Sequence, residues 1–147
     1  MPNTEMYGLN NNTWKRLSDG TKEGAGKGAH AEVKAYVNNL LDFATRVNAA
    51  TNLVCHFFDQ DAFPCYECTT YFRNLAKTTT KTVKGGGTMT TQVCFAFRIT
   101  TYEYVSDHDF YFKSQKPALP CYLYFLDGRI YHKNQPPGWP TIPAFPN

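Results

Sequence analysis

The run at residues 53–58 (LVCHFF) constrains the fold most. It holds no Gly, no Pro and no formal charge, so the strand it forms belongs in the buried middle of a sheet. The segments on either side read as helices. Before it, Val33, Tyr36, Val37, Leu40, Leu41, Ala44 and Val47 recur at helical spacing, which predicts a helix over about residues 29–48. After it, Pro64 suits the first position of a second helix, with Cys65, Cys68, Tyr71, Phe72, Leu75 and Ala76 on its inward face. Residues 6–17 read as a hairpin turning at Asn10-Asn11-Asn12, and 92–104 as a strong strand. Residues 122–126 and 129–133 read as a hairpin around Asp127-Gly128. The Thr- and Gly-rich stretch 78–91 is expected to break regularity, with Gly85-Gly86-Gly87 as a loop tip. Five prolines in the last twelve residues predict an extended, unpacked tail over 136–147, after one domain over 1–135. This order is α/β: a mixed sheet of about five strands with two helices packed on it.

Composition narrows the class. A chain of 147 residues is one domain's worth, and 42% hydrophobic with 18% charged residues excludes wholesale disorder. The longest apolar runs fall far short of a membrane helix, so no membrane partner is expected. The first residues lack a basic-then-apolar pattern, which favours a cytoplasmic protein or a module delivered within a larger secreted one. A net charge of +3 permits a nucleic-acid partner without requiring one. Aromatics at 16% must go into an aromatic core, a stacking surface, or both. Five cysteines are an odd number, against a fully paired disulfide framework. Cys55, Cys94 and Cys121 lie in apolar runs and read as buried thiols.

Two short motifs stand at the two expected helix starts. His30-Ala31-Glu32 places an imidazole and a carboxylate on either side of the first helix's apolar stripe. Helix capping alone also explains a glutamate there. Pro64-Cys65-Tyr66-Glu67-Cys68 places two thiols at i and i+3, where both reach one metal, and a helix N-terminus favours thiolates. A redox disulfide, half of a four-ligand structural site, or two core cysteines are the competing readings. The halves strengthen each other. Thirty-four residues lie between His30 and Cys65, room for one helix, one strand and the return to a second helix start. One imidazole and two thiolates make three protein ligands, and the fourth tetrahedral position left for water marks a catalytic zinc. Glu32, close by without being a ligand, suits proton transfer.

These residues resemble the zinc-dependent cytidine deaminase superfamily, whose signature is H-x-E…P-C-x-x-C. The resemblance covers about residues 29–105 and implies a three-layer sandwich with both zinc helices on a mixed sheet. It implies that His30, Cys65 and Cys68 bind zinc and that Glu32 is the general acid/base. Zinc-activated water would attack C4 of cytosine or C6 of adenine, and Ala31, Phe63 and Pro64 would adjoin the base. PCYEC and the strand Arg98-Ile99-Thr100-Thr101-Tyr102-Glu103-Tyr104 are similar to the AID/APOBEC polynucleotide deaminases. By that likeness Tyr102 stacks on the target base and Tyr104 shapes the pocket for its 5′ neighbour. Two departures stand out: Ala62-Phe63 replaces the family's Trp-Ser, and residues 106–118 lack the pattern of the crossover helix that makes the last strands parallel. A hairpin ending instead resembles deaminase modules of bacterial polymorphic toxins, which implies an immunity protein as partner.

Between Thr69 and Tyr102 there is no acidic residue, while Arg73, Lys77, Lys81, Lys84 and Arg98 are basic, and Lys15, Arg16, Lys22 and Lys27 precede His30. These cations are expected to wall a single-strand groove beside the aromatic loop. The leading expectation is a monomeric cytosine deaminase acting on single-stranded DNA, with duplex DNA also admitted. A free cytidine or deoxycytidine deaminase, an adenosine deaminase acting on RNA, and a non-catalytic zinc-binding module remain open alternatives.

Overall fold

A computed structural model of the chain describes residues 4–10, 12–18, 33, 36–37, 53–64, 66–82, 84–103 and 118–146. In chain order they form β1 (Thr4–Asn10), β2 (Thr13–Ser18), β3 (Leu53–Ala62), α1 (Tyr66–Leu75), β4 (Thr78–Thr82), β5 (Thr88–Glu103), β6 (Cys121–Leu126) and β7 (Arg129–His132). The architecture is α/β. All seven strands join one mixed sheet in the order β2-β1-β3-β5-β6-β7, and β4 pairs with the first part of β5. Every pairing is antiparallel except β3 with β5, which is parallel. A parallel pair cannot be joined by a tight turn. The chain between them therefore recrosses the sheet, first as α1 and then through β4.

Local chemistry sets the turns. Asp127 and Gly128 both adopt positive φ (50° and 78°), the two-residue turn whose twist matches flanking strands, so β6 and β7 close directly on each other. Asn12, at φ 62°, turns β1 into β2.

Alternation along the central strands makes two faces. Phe58, Phe95, Phe97, Leu123 and Phe125 point to one face, where Phe72 of α1 joins them, all fully buried. Phe58 stacks on Phe97 with centroids 4.6 Å apart, and Phe72 lies 5.0 Å from both Phe58 and Phe95. Cys55, Phe57, Cys94, Ala96, Tyr124 and Leu126 point to the other face. No described helix covers them; the C-terminal segment does. Phe145 stacks on Phe57 at 4.4 Å and 7°, Trp139 meets Tyr124 edge-on at 5.1 Å, and the Trp14 indole N–H donates to the Pro143 carbonyl at 3.2 Å.

Four expectations change here. The sheet has seven strands rather than about five, because β4 and the short β7 add to it. Residues 78–91 form a ribbon rather than a loop, since threonine's β-branch suits strands and Thr80 and Thr90 share a hydroxyl hydrogen bond of 3.0 Å across it. Residues 136–146 are irregular, as proline dictates, yet packed, because Trp139, Ile142 and Phe145 bury against the sheet. Among the described residues the layer opposite α1 is accordingly an extended strap. Of the helix expected over 29–48, Val33, Tyr36 and Val37 are helical and the rest lies outside the described residues. Cys55, Cys68, Cys94 and Cys121 are buried and none is in a disulfide.

The strap's anchor is testable. Phe57→Ala should lower unfolding stability by about 3–5 kcal/mol in urea titrations. Phe145→Ala should cost less, because that ring is only half-buried. The double variant should fall short of the sum by about 0.5–1.5 kcal/mol, the coupling of one aromatic pair. Strict additivity would mean that the two rings do not act as a stack.

Candidate metal and nucleic-acid site

The parallel pairing of β3 and β5 brings the chemistry-bearing segments to one edge of the sheet. Ala62 at the end of β3 pairs with Glu103 at the end of β5. Pro64 and the start of α1 therefore leave the edge to which β5 delivers Tyr102. The register shifts between Gln60 and Ala62, an irregularity of the kind that re-aims a strand end. β1 starts at the same edge, with Thr4 opposite Gln60, and β6 starts there with Cys121 opposite Ile99. The Thr4 hydroxyl donates to Gln60 Oε1 at 3.0 Å, and both residues are buried, which fixes this corner.

The first turn of α1 sorts its side chains sharply. Cys68 is 1% exposed and faces inward, whereas Tyr66 and Glu67 are exposed. Thr69 Oγ1 donates to the Pro64 carbonyl at 3.5 Å, tying the helix start to the strand end. Pro64 is buried, and Phe63, 5% exposed, belongs to the core of the helix face. His30, Ala31, Glu32, Cys65 and Tyr104 lie outside the described residues, as does the side chain of Tyr102. Among the described residues, no three His, Cys, Asp or Glu side chains converge on one point.

Tyr36 links the two helical segments. Its ring meets Phe72 edge-on at 5.8 Å and Tyr71 at 6.2 Å, both in α1, and also contacts His56 and Phe95 in the sheet. Tyr36 lies four positions after Glu32, and Phe72 lies four positions after Cys68. Each short motif therefore stands one helical turn of sequence before the same ring contact. Direction agrees. β2 runs parallel to β3, so between Ser18 and Leu53 the chain passes from the candidate edge to the opposite one, as it does between Ala62 and Thr78. In sequence Tyr36 is one member of an apolar stripe, and its spacing from Glu32 is the signal that marks it.

The expected basic groove beside this edge does not form from the cations of residues 69–102. Arg98 makes a two-pronged ion pair with its cross-strand neighbour Asp59, Nη2 to Oδ2 at 2.6 Å and Nε to Oδ1 at 3.2 Å, on the strap face. Its guanidinium sits 5.1 Å from the Phe57 ring centroid. The bond to Asp59 holds its pKa above the ordinary guanidinium range, so its charge is fixed and locally matched. Lys77, Lys81 and Lys84 lie toward the opposite edge, because the ribbon continues past the start of β3 at Leu53. Among the described residues the candidate edge carries Glu5, Asp59, Asp61 and Glu67 together with Arg16, 3.7 Å from Glu5, Arg98, paired with Asp59, and Lys133 beside Tyr122. Contiguity in sequence misled here because one long strand separates its two ends.

Burial pushes the Tyr36 hydroxyl pKa up to about 12. The folded state thus holds its proton more tightly than the unfolded chain, whose tyrosine titrates near ~10. The resulting stability is full below about pH 10 and disappears as pH rises toward about 12. Stability measured by urea titration from pH 9 to 12 should decline in the wild type and decline less steeply in Tyr36→Phe. Identical alkaline limbs would show that the ring is not held in this contact.

Comparison with protein-family models, with curated proteins and with solved structures finds no match to this chain.

Proposed function

We propose that this chain is a zinc-dependent deaminase that converts cytosine to uracil in single-stranded DNA. The reading rests on the His30-Ala31-Glu32 and Pro64-Cys65-Tyr66-Glu67-Cys68 pair, and the observation that carries it is the contact of Tyr36 with Tyr71 and Phe72. The contact lies four positions after Glu32 on one side and four after Cys68 on the other, which supports a convergence of the two motifs on a shared metal. The deaminase-like sandwich, with two zinc helices on a mixed sheet, is part of this proposal.

The donor set fits zinc. His30, Cys65 and Cys68 would hold it, and the burial of Cys68 favours that role over a free thiolate. A thiolate in a dry site is costly by itself, whereas a bound cation deprotonates it outright. The α1 N-terminus adds backbone N–H groups and the positive end of the helix dipole. When bound, zinc supplies a water acidic enough to lose its proton near neutral pH. Glu32 would accept one proton of the attacking water and pass it to the cytosine ring nitrogen. It would then carry the second proton, from the oxygen added at C4, to the exocyclic amine, which leaves as ammonia. Tyr102, delivered to the edge by β5, stacks on the base, while Pro64 and the buried Phe63 back the site. An unpaired base avoids the few kcal/mol of extrusion from a duplex, which favours a single-stranded substrate.

The antiparallel run of β5, β6 and β7 supports the toxin-module branch over the AID/APOBEC branch, whose last strands are parallel. An immunity protein is the partner that this branch implies.

Metal analysis of purified protein should find about one zinc per chain, lost in His30→Ala, Cys65→Ala and Cys68→Ala. Glu32→Ala should keep zinc and lose at least ~100-fold in uracil formation on single-stranded DNA, read by uracil excision and strand cleavage. A Glu32→Ala protein that still forms uracil would overturn the mechanism. Tyr102→Ala should alter which base is tolerated 5′ of the target, and an unchanged sequence profile would remove Tyr102 from that role.

A further inference from the structure

The ribbon of β4 and the first residues of β5 projects beyond the sheet at the edge opposite the candidate site. Its cross-strand pairs are Thr78 with Gln92, Thr79 with Thr91, Thr80 with Thr90, Lys81 with Met89 and Thr82 with Thr88. Strand alternation places Thr78, Thr80, Thr82, Thr88, Thr90 and Gln92 on one face, a surface of hydroxyls and one amide. Every residue of β4 is exposed. At the tip, Gly85 and Gly86 take φ of 104° and 92°, a backbone form that keeps side chains away from the turn. Lys77, Lys81, Lys84 and Arg129 are exposed at this edge. Arg129 is brought there by the β6–β7 turn, whose Gly128 N–H donates to the Ala76 carbonyl at 2.7 Å. Among the described acidic residues only Asp127 shares the edge, where it accepts from the Thr78 hydroxyl at 3.1 Å.

We infer that the Thr/Lys ribbon of β4 and β5 is a binding surface for the phosphate backbone of nucleic acid, remote from the deaminating site. The inference deepens the nucleic-acid reading above and rests on it. Charge is the first ground: Lys77, Lys81, Lys84 and Arg129 are exposed at the ribbon edge, where Asp127 is the one described carboxylate, whereas Arg16 and Arg98 near the candidate edge are each paired with a carboxylate. Chemistry is the second. Threonine hydroxyls, lysines and backbone N–H groups are what grip phosphates and sugars without reading bases. A protein partner needs an apolar centre. Apart from the half-buried Met89, the described residues of the ribbon are Thr, Lys and Gln. From Gln92 to Glu103 β5 spans about 36 Å, so one strand touching both ends of the sheet must be about ten nucleotides or longer.

Fluorescence anisotropy with labelled single-stranded DNA of roughly 40 nucleotides, titrated at several salt concentrations, tests the assignment. Lys81→Ala/Lys84→Ala should weaken binding about tenfold and reduce the slope of log K against log salt by about 1.4. Lys15→Ala/Lys133→Ala removes equal charge away from the ribbon and should change binding little. Equal losses in the two double variants, an unchanged slope in the ribbon variant, or no wild-type binding would overturn the inference. So would ribbon-dependent capture of polyglutamate as tight as that of DNA, which would identify an acidic protein as the partner. Binding is read without turnover: an inactive protein that binds DNA through the ribbon refutes the deaminase and leaves the surface standing, whereas an active protein indifferent to Lys81 and Lys84 does the reverse.

Discussion

The parallel pairing of β3 with β5 is the constraint on which the rest of the structure depends. Parallel neighbours force the chain to recross the sheet, and α1 is the element that carries it, packed through Phe72 onto Phe58, Phe95 and Phe97. Because the crossing begins at the end of β3, the thiol motif sits at the edge where β5 ends. The in-register contacts from Leu53 with Gln92 to Gln60 with Ile99 lock that geometry over most of β3 and half of β5. A slip of β3 by one residue against β5 would turn Phe58 toward the strap and Phe57 toward the helix. Both buried clusters would then be lost together.

The two faces of the sheet are stabilised differently. The helix face is an ordinary core of fully buried phenylalanines. The strap face is held by an extended segment whose prolines supply no backbone donors, so rings and the Trp14–Pro143 bond do the holding. Phe145 lies within stacking reach of Phe57, Trp14, Tyr122 and Tyr124. Beneath the strap, Cys55 and Cys94 face each other across the strand pair, and their mutual hydrogen bond and burial hold the Cys55 thiol protonated. These thiols are packing, as their apolar surroundings in sequence suggested.

Much of this architecture was legible. A charge-free run at 53–58 announced a central strand, Asp127-Gly128 announced its turn, and the proline before Cys65 announced a helix start. What escaped was decided by tertiary placement. The threonines of 78–82 and 88–91 stand beside three glycines that suggest a loop, yet β-branching favours the paired strands found there. The tail's prolines correctly excluded regular structure, while Trp139 and Phe145, the signal for packing, went unread. The charge pattern failed most instructively: β5 is 16 residues and about 50 Å long, so cations adjacent in sequence end at opposite sides of the molecule. Of the proposed site, Cys65 and Cys68 share a helix face by their i and i+3 spacing, whereas His30 and Glu32 only flank the other helix's apolar stripe. The link between the halves, Tyr36 against Tyr71 and Phe72, needed the structure.

The central claim is that an imidazole and two thiolates from separate segments share one open-sided cation. X-ray absorption at the zinc edge of the purified protein reads that coordination shell directly. The account predicts two sulfur scatterers at about 2.3 Å and two nitrogen or oxygen scatterers at about 2.0–2.1 Å. A shell of four sulfurs, or one with no sulfur at all, would contradict it.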